Sequence, residues 1–244
     1  MRYTGSEIRR FVVIVLPLMW MCAGAPARAG DTAPDLEVNP VTGAVEAVEV
    51  SPEDGGLVRH VEDDVETGLV LQTVVSAEPA AGSQIAIKET GESWAVWEEA
   101  GTAEIRYAYR DPLTKIWSAE ASVNPAGEAA HGPRIVHNGL ETWIAYEVGE
   151  GPGSSIAVTG IVDSPEPFPP AVTVATRTFA ASADLDLRAE SGHVWVSWVE
   201  GETELAWSEY DTSAGTWTPP RIESYAGSTA ADARLAIRSR VLGQ

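Results

Sequence analysis

Carboxylates recur in this sequence at one structural moment, just after a short aromatic strand. Glu98, Glu99 and Glu104 follow Trp94-Ala95-Val96-Trp97; Glu147 and Glu150 follow Trp143-Ile144-Ala145-Tyr146; Glu200, Glu202 and Glu204 follow Trp195-Val196-Ser197-Trp198. Loops that repeat at one place in a repeated unit emerge on one face, so these side chains are expected to form a ring of negative charge. Such a ring suits a basic protein surface or a hard cation such as calcium. No loop carries a tight D-x-D-x-D calcium pattern, nothing in the sequence calls for a resident cofactor, and charged loops also keep a strand-rich protein soluble. The complementary feature is cationic. Arg134, Arg188 and Arg238 lie in the first strands of three successive units, where they would offer a clamp for an anionic group. Arg134 falls four residues before the slot of Arg188 and Arg238, so the three do not make an even ring. His60, His131, His137 and His193 have no zinc-ligand spacing. No set of acid, base and nucleophile is recognisable.

The elements that must position these residues are repeated. Ile87, His137, Leu187 and Ile237 stand 50 residues apart, each followed by a polar residue (Lys88, Asn138, Arg188, Arg238) and then by a glycine turn. After the aromatic strand and acidic loop comes a third strand, then an aspartate, a turn and an aromatic: Asp111 with Trp117, Asp163 with Phe168, Asp211 with Trp217. A last β-prone segment ends the unit. The first unit follows the plan with weaker side chains, using Asp63/Asp64 as the acid and Leu69 in place of the aromatic. Aromatics at i and i+3 of one strand point to opposite faces of a sheet, so each sheet must be covered on both sides. Stacked repeats meet that demand, and self-similarity at a fixed period marks such arrays. The sequence therefore predicts an all-β fold: a β-propeller of four four-stranded blades (about 34–76, 83–124, 131–176 and 183–225) plus a truncated fifth repeat over 231–244.

These units resemble the repeats of the sialidase-like propeller superfamily, in which a glycine turn, a W-x-x-W strand and an Asp-to-Trp turn recur. Tyr210-Asp211-Thr212-Ser213-Ala214-Gly215-Thr216-Trp217 has the ingredients of the family's Asp-box with one extra residue between Asp and Trp, and Asp111 to Trp117 lacks the glycine. The resemblance implies a propeller fold and a fold-forming role for these turns. A sialidase-type site would also need an arginine cluster, an acid/base carboxylate and a Tyr–Glu pair. The expected function is accordingly a non-catalytic binding module with a protein or glycan partner, the alternative being a sialidase-like glycan hydrolase, present here as a fragment.

Residues 1–29 read as a secretory signal peptide: Arg2, Arg9 and Arg10, the apolar run Phe11–Met21, then Ala27-Arg28-Ala29. That run is too short for a membrane span, so the mature chain is expected in the periplasm or outside the cell with no span of its own. The formal net charge of −20 disfavours nucleic acid and anionic membranes as partners. The only cysteine is Cys22, inside the leader, so packing rather than disulfides must hold the mature domain together. The strand expected at 233–241 has unpaired edges. It can complete the first unit, pair with a second chain as a homodimer, or belong to a longer propeller.

Overall fold

The computed structural model describes residues 34–64, 67–162, 167–178, 185–190, 192–201, 204–211 and 214–224. The expected leader, Asp163, Glu202, Arg238 and the partial fifth unit lie outside them.

Among the described residues, every regular element is a β-strand except one 3-10 turn, Pro52–Asp54. Four antiparallel sheets follow one another along the chain. Sheet 1 comprises β1 (Asp35–Val38), β2 (Val45–Ser51), β3 (Leu57–Asp64) and β4 (Leu69–Ser76). Sheet 2 comprises β5 (Ala80–Ile87), β6 (Ser93–Glu99), β7 (Ile105–Arg110) and β8 (Ala121–Ser122). Sheet 3 comprises β9 (Ala130–Asn138), β10 (Glu141–Val148), β11 (Ser155–Val162) and β12 (Val172–Thr176). Sheet 4 comprises β13 (Asp186–Glu190), β14 (His193–Gly201), β15 (Glu204–Asp211) and the split outer pair β16 (Thr216–Trp217) and β17 (Arg221–Ser224), both on β15. Sheets 1 to 3 are meanders, strand pairing with next strand, and sheet 4 departs from this only in its split outer pair.

The two-faced strand does what its pattern predicts. Trp94 faces forward into the core between sheets 2 and 3, with Ile135, Ile144 and Phe168, while Trp97 faces back into the core shared with Val48 and Val58 of sheet 1. In the next unit Trp143 faces sheet 4 and Tyr146 faces sheet 2. Trp143 lies flat over its cross-strand partner Gly160, where an added Cβ would stand 2.6 Å from the ring, so no larger residue fits. Burying these aromatics is the main driving force for stacking.

The Asp turns share one geometry. Asp64, Asp111 and Asp211 each accept a backbone N–H three residues on through the side chain and one four residues on through the carbonyl. The fourth residue is left-handed in each: Gly68 (φ 67), Lys115 (φ 60) and Gly215 (φ 68). Trp117 then pairs with Arg110 and Trp217 with Tyr210. By the same register the counterpart in sheet 1 is Val70, opposite Asp63, rather than Leu69. These turns are structural, which is what the resemblance implied.

The uniform offset of 50 does not track the register throughout. Opposite Trp94, Trp143 and Trp195 stand Ala86, Val136 and Arg188. Arg188 is therefore the counterpart of Ala86 and Val136, not of Lys88 and Asn138. The offset of 50 holds from Ala86 to Val136 but not from Val136 to Arg188, although their hairpins have equal two-residue turns, so the extra residues lie in the third unit after Trp143.

Candidate functional site

The first strands β1, β5, β9 and β13 lie side by side at the inner edge of the stack and hold each other through a repeated contact. The Asp35 carboxylate accepts the Ile85 N–H at 2.9 Å, and the Gln84 amide oxygen accepts the Ile135 N–H at 3.3 Å. Arg134 has only donors, so its Nε reaches the Leu185 carbonyl instead, at 2.7 Å. Asp35, Gln84 and Arg134 stand on successive inner strands, and Gln84 and Arg134 share one register position, opposite Val96 and Ala145. Arg134 is thereby a staple between sheets 3 and 4, and a second guanidinium donor bonds the Pro133 carbonyl at 2.9 Å.

The inner strands enclose a cavity of about 530 Å³, within the range of small-ligand sites. Glu37 of β1, Ala86 and Ile87 of β5, and Ile135 to His137 of β9 line it. Leu187 to Glu190 of β13 and Trp195 of β14 complete the wall. Of the two predicted arginines among the described residues, Arg188 lines the cavity and Arg134 does not; the Arg188 Nε donates to Asp186 at 3.1 Å. Partial burial raises the Glu37 carboxyl above its ordinary value, and the charge of Asp35 raises it further. Burial pushes the His137 imidazole down to about 4, with Lys88 acting the same way. His137 is accordingly neutral near pH 7, its Nδ1 paired with the Thr142 hydroxyl at 3.0 Å. Glu37 and Glu190 were not singled out in the sequence. The available signal was a charged residue on a strand expected to face the centre of the stack.

The acidic loop residues are placed differently from one another. Glu98 binds the next sheet through His131 Nδ1 (2.9 Å) and the Gly132 N–H (3.1 Å). Glu99 accepts from Thr102 Oγ1 at 2.6 Å, which holds its carboxyl below the ordinary range, and both Glu99 and the buried Glu104 pair with Arg106. Glu147 is buried against Arg177 (2.5 Å) and Ser154 (2.7 Å), and Arg177 goes on to the Val199 carbonyl of sheet 4. Burial would raise Glu200, but the Thr178 N–H and hydroxyl, Trp198 Nε1 and the charge of Arg177 bring it below the usual carboxylate value. Glu204 accepts from Ser224 at 3.3 Å, while Glu150 stands largely in solvent, 3.7 Å from His131. Most of these carboxylates thus fasten loops and sheets together. Among the described residues, no group of three or more His, Cys, Asp or Glu side chains is arranged to hold a metal ion.

The buried ion network between sheets 1 and 2 has no signature in the repeat. Glu46, fully buried, accepts from Asn39 Nδ2 (2.7 Å), His60 Nε2 (2.9 Å) and Ser93 Oγ (2.5 Å). Arg110 joins it by pairing with Glu62 at 2.8 Å. Ser93 and His60 both bind the carboxylate directly, so neither activates the other. Burial acts to raise the Glu46 carboxyl, but the bonds from His60, Ser93 and Asn39 prevail and hold it at about 2.

Solved structures with the same arrangement of stacked meanders include two glycan-acting proteins. A polysaccharide lyase of family PL25, an ulvan lyase bound to -[GlcA(1-4)Rha3S]-, aligns with a TM-score of 0.54 at 11% identity, over 78% of this chain and 55% of the lyase. A Hadza microbial sialidase aligns with a TM-score of 0.54 at 11% identity, over 77% of this chain and 46% of the sialidase. The fold is a β-propeller. The chain spans about half the length of these two proteins. A GH62 α-L-arabinofuranosidase from Coprinopsis cinerea aligns at a TM-score of 0.48 and 12% identity, over 81% of this chain and 70% of the enzyme, too distant to add to the argument. No protein-family model matches the propeller's sequence, and no curated protein does. Among the described residues no helix is long and apolar enough to cross a membrane.

Proposed function

We propose that this propeller is an exported glycan-binding module whose ligand enters the cavity at the inner strands. The observation that carries the reading is that cavity. Its volume suits one or two sugar units, and Glu37 of β1, His137 of β9 and Arg188 and Glu190 of β13 bring polar side chains to its lining. Two carboxylates and a guanidinium supply acceptors and donors for sugar hydroxyls. The glycan-acting propellers of similar fold support the ligand class, and the leader-like residues 1–29 support export. The formal charge of −20 supports a partner that is not nucleic acid. Titration calorimetry against a panel of neutral and acidic oligosaccharides tests the reading. One oligosaccharide should bind, and the double variant Glu37→Gln/Glu190→Gln should weaken it at least tenfold while keeping the wild-type melting curve. Absence of binding across the panel, or binding untouched by the double variant, would sink it.

A hydrolase is the second reading, favoured by one observation: two carboxylates line the same cavity and one of them, Glu37, has a raised proton affinity, as a general acid requires. It predicts release of a chromogenic aglycone from a glycoside, abolished by Glu37→Gln.

A further inference from the structure

The outermost strand of sheet 1 is built unlike those of the other sheets. Proteins keep free sheet edges short, charged or covered, because the unpaired N–H and C=O groups there offer a template to another strand. The outer strands β8, β12, β16 and β17 are two, five, two and four residues long. β4 runs for eight, Leu-Val-Leu-Gln-Thr-Val-Val-Ser, with no charge and no proline. Its first six residues are exposed on both faces of the sheet. Leu69 (59%), Val70 (57%), Leu71 (53%) and Val74 (50%) each leave half or more of their surface open to water. Leu69, Leu71 and Thr73 share the face of the buried Glu62 and His60; Val70, Gln72 and Val74 share the opposite face with Asp63, Val61 and Arg59.

The strand is also complementary to itself. Pairing it antiparallel with a second copy, about a two-fold axis at Gln72, sets Val70 opposite Val74, Leu71 opposite Thr73 and the two Gln72 amides opposite each other. Each pair then shares a face, as the alternation of side chains requires. Charge agrees with this register. Asp63 and Arg59 are the β3 neighbours of Val70 and Val74. The cross-strand row that begins at Asp63 of one copy therefore ends at Arg59 of the other, an acid at one end and a base at the other. No like charges stand opposite across the new pair, although the chain carries a formal charge of −20 and its copies repel elsewhere. We infer that β4 is a homodimer interface, at which two copies join sheet 1 edge to edge into one continuous eight-stranded sheet. A two-fold pairing consumes the edge, so assembly stops at two.

This interface uses none of residues 225–244 and does not depend on the glycan reading. Sedimentation velocity of the full chain, from low to high micromolar concentration, tests it and should show a dimer. Added salt should strengthen that dimer, because it screens the repulsion between acidic copies while the β4 pair itself carries no charge. Gln72→Lys sets two ammonium groups opposite each other on the axis and should weaken association at least about tenfold. In a Cys22→Ser background, Gln72→Cys should form an intermolecular disulfide on air oxidation, since directly opposite residues stand about 4.5–5.5 Å apart at Cα, within disulfide reach. Leu71→Cys and Thr73→Cys are displaced from the axis and should not. A monomer at every concentration and salt would overturn the inference, whether β4 is then bare or protected from hydrogen exchange by a segment of its own chain. So would a dimer indifferent to Gln72→Lys, or cross-linking at 71 or 73 in place of 72.

Discussion

Where sheets 1 and 2 meet, the aromatic of the second Asp turn, Trp117, approaches the edge of His60 at 5.3 Å between ring centres. Where sheets 2 and 3 meet, the equivalent aromatic, Phe168, packs edge-on against Trp94 (6.0 Å) and Tyr107 (5.0 Å). One architectural joint is thus built twice with different chemistry. The second junction is stabilised mainly by apolar area, with the uncharged His137 ring set against Trp94. The first carries four ionisable side chains in its interior, Glu46, His60, Glu62 and Arg110, and is tolerable because they pair with one another. An apolar joint degrades with lost volume and an ionic one with lost charge.

Truncation of the apolar joint should have the largest effect. Trp94→Ala removes the largest fully buried side chain of the second junction and is expected to destabilise by about 3–5 kcal/mol in urea unfolding. At the ionic joint Glu46→Ala leaves His60, Ser93 and Asn39 without their shared acceptor and should cost about 3 kcal/mol. If Glu46→Ala proves as mild as a surface change, the network is ornamental and the comparison fails.

Acid separates the joints by pH window. His137, on the second junction, is held down to about 4 from 6.5. As pH falls the unfolded chain takes that proton first, so stability is full above pH 6.5 and is lost as pH falls through about 4. Glu46 is held down to about 2 from 4.5, so its contribution is full above pH 4.5 and is lost as pH falls through about 2. Each window is worth up to about 3 kcal/mol. Stability measured by urea titration from pH 8 downward should therefore decline in two stages. His137→Gln should flatten the upper stage and Glu46→Gln the lower; a single stage unaffected by either variant would remove the distinction.

The smallest effect lies in the turn that feeds the first junction. Lys115 is left-handed where the other two Asp turns have glycine, and its ammonium stands 3.7 Å from Glu62. Lys115→Gly relieves the strain and gives up a weak surface pair, so a gain of about 0.5–1 kcal/mol in stability is expected. A loss instead would show that the Lys115–Glu62 contact belongs to the ionic network.

Much of the architecture was legible along the chain because the signals that made it so are local. Side-chain alternation in Trp94-Ala95-Val96-Trp97 depends only on strand geometry, so the two-faced sheets could be read directly, and the Asp turns depend on hydrogen bonds within five residues. A repeating pattern of that kind forces stacking, and stacking forces a central cavity. What tertiary structure alone decided were the partners of the polar groups. Glu147, Glu98 and Glu200 look alike in their loops, yet one is buried under Arg177 and the others fasten neighbouring segments, through residues 30, 33 and 22 positions away. Arg134 and Arg188 read as two arms of one clamp, but they stand at different register positions, opposite Ala145 and opposite Trp195, one stapling sheets and the other lining the cavity. Glu37 and Glu190 became candidates only when four inner strands brought their walls together. Hydrophobic periodicity is written residue by residue. Electrostatic pairing depends on distances across the fold, and those are set only when the sheets have stacked.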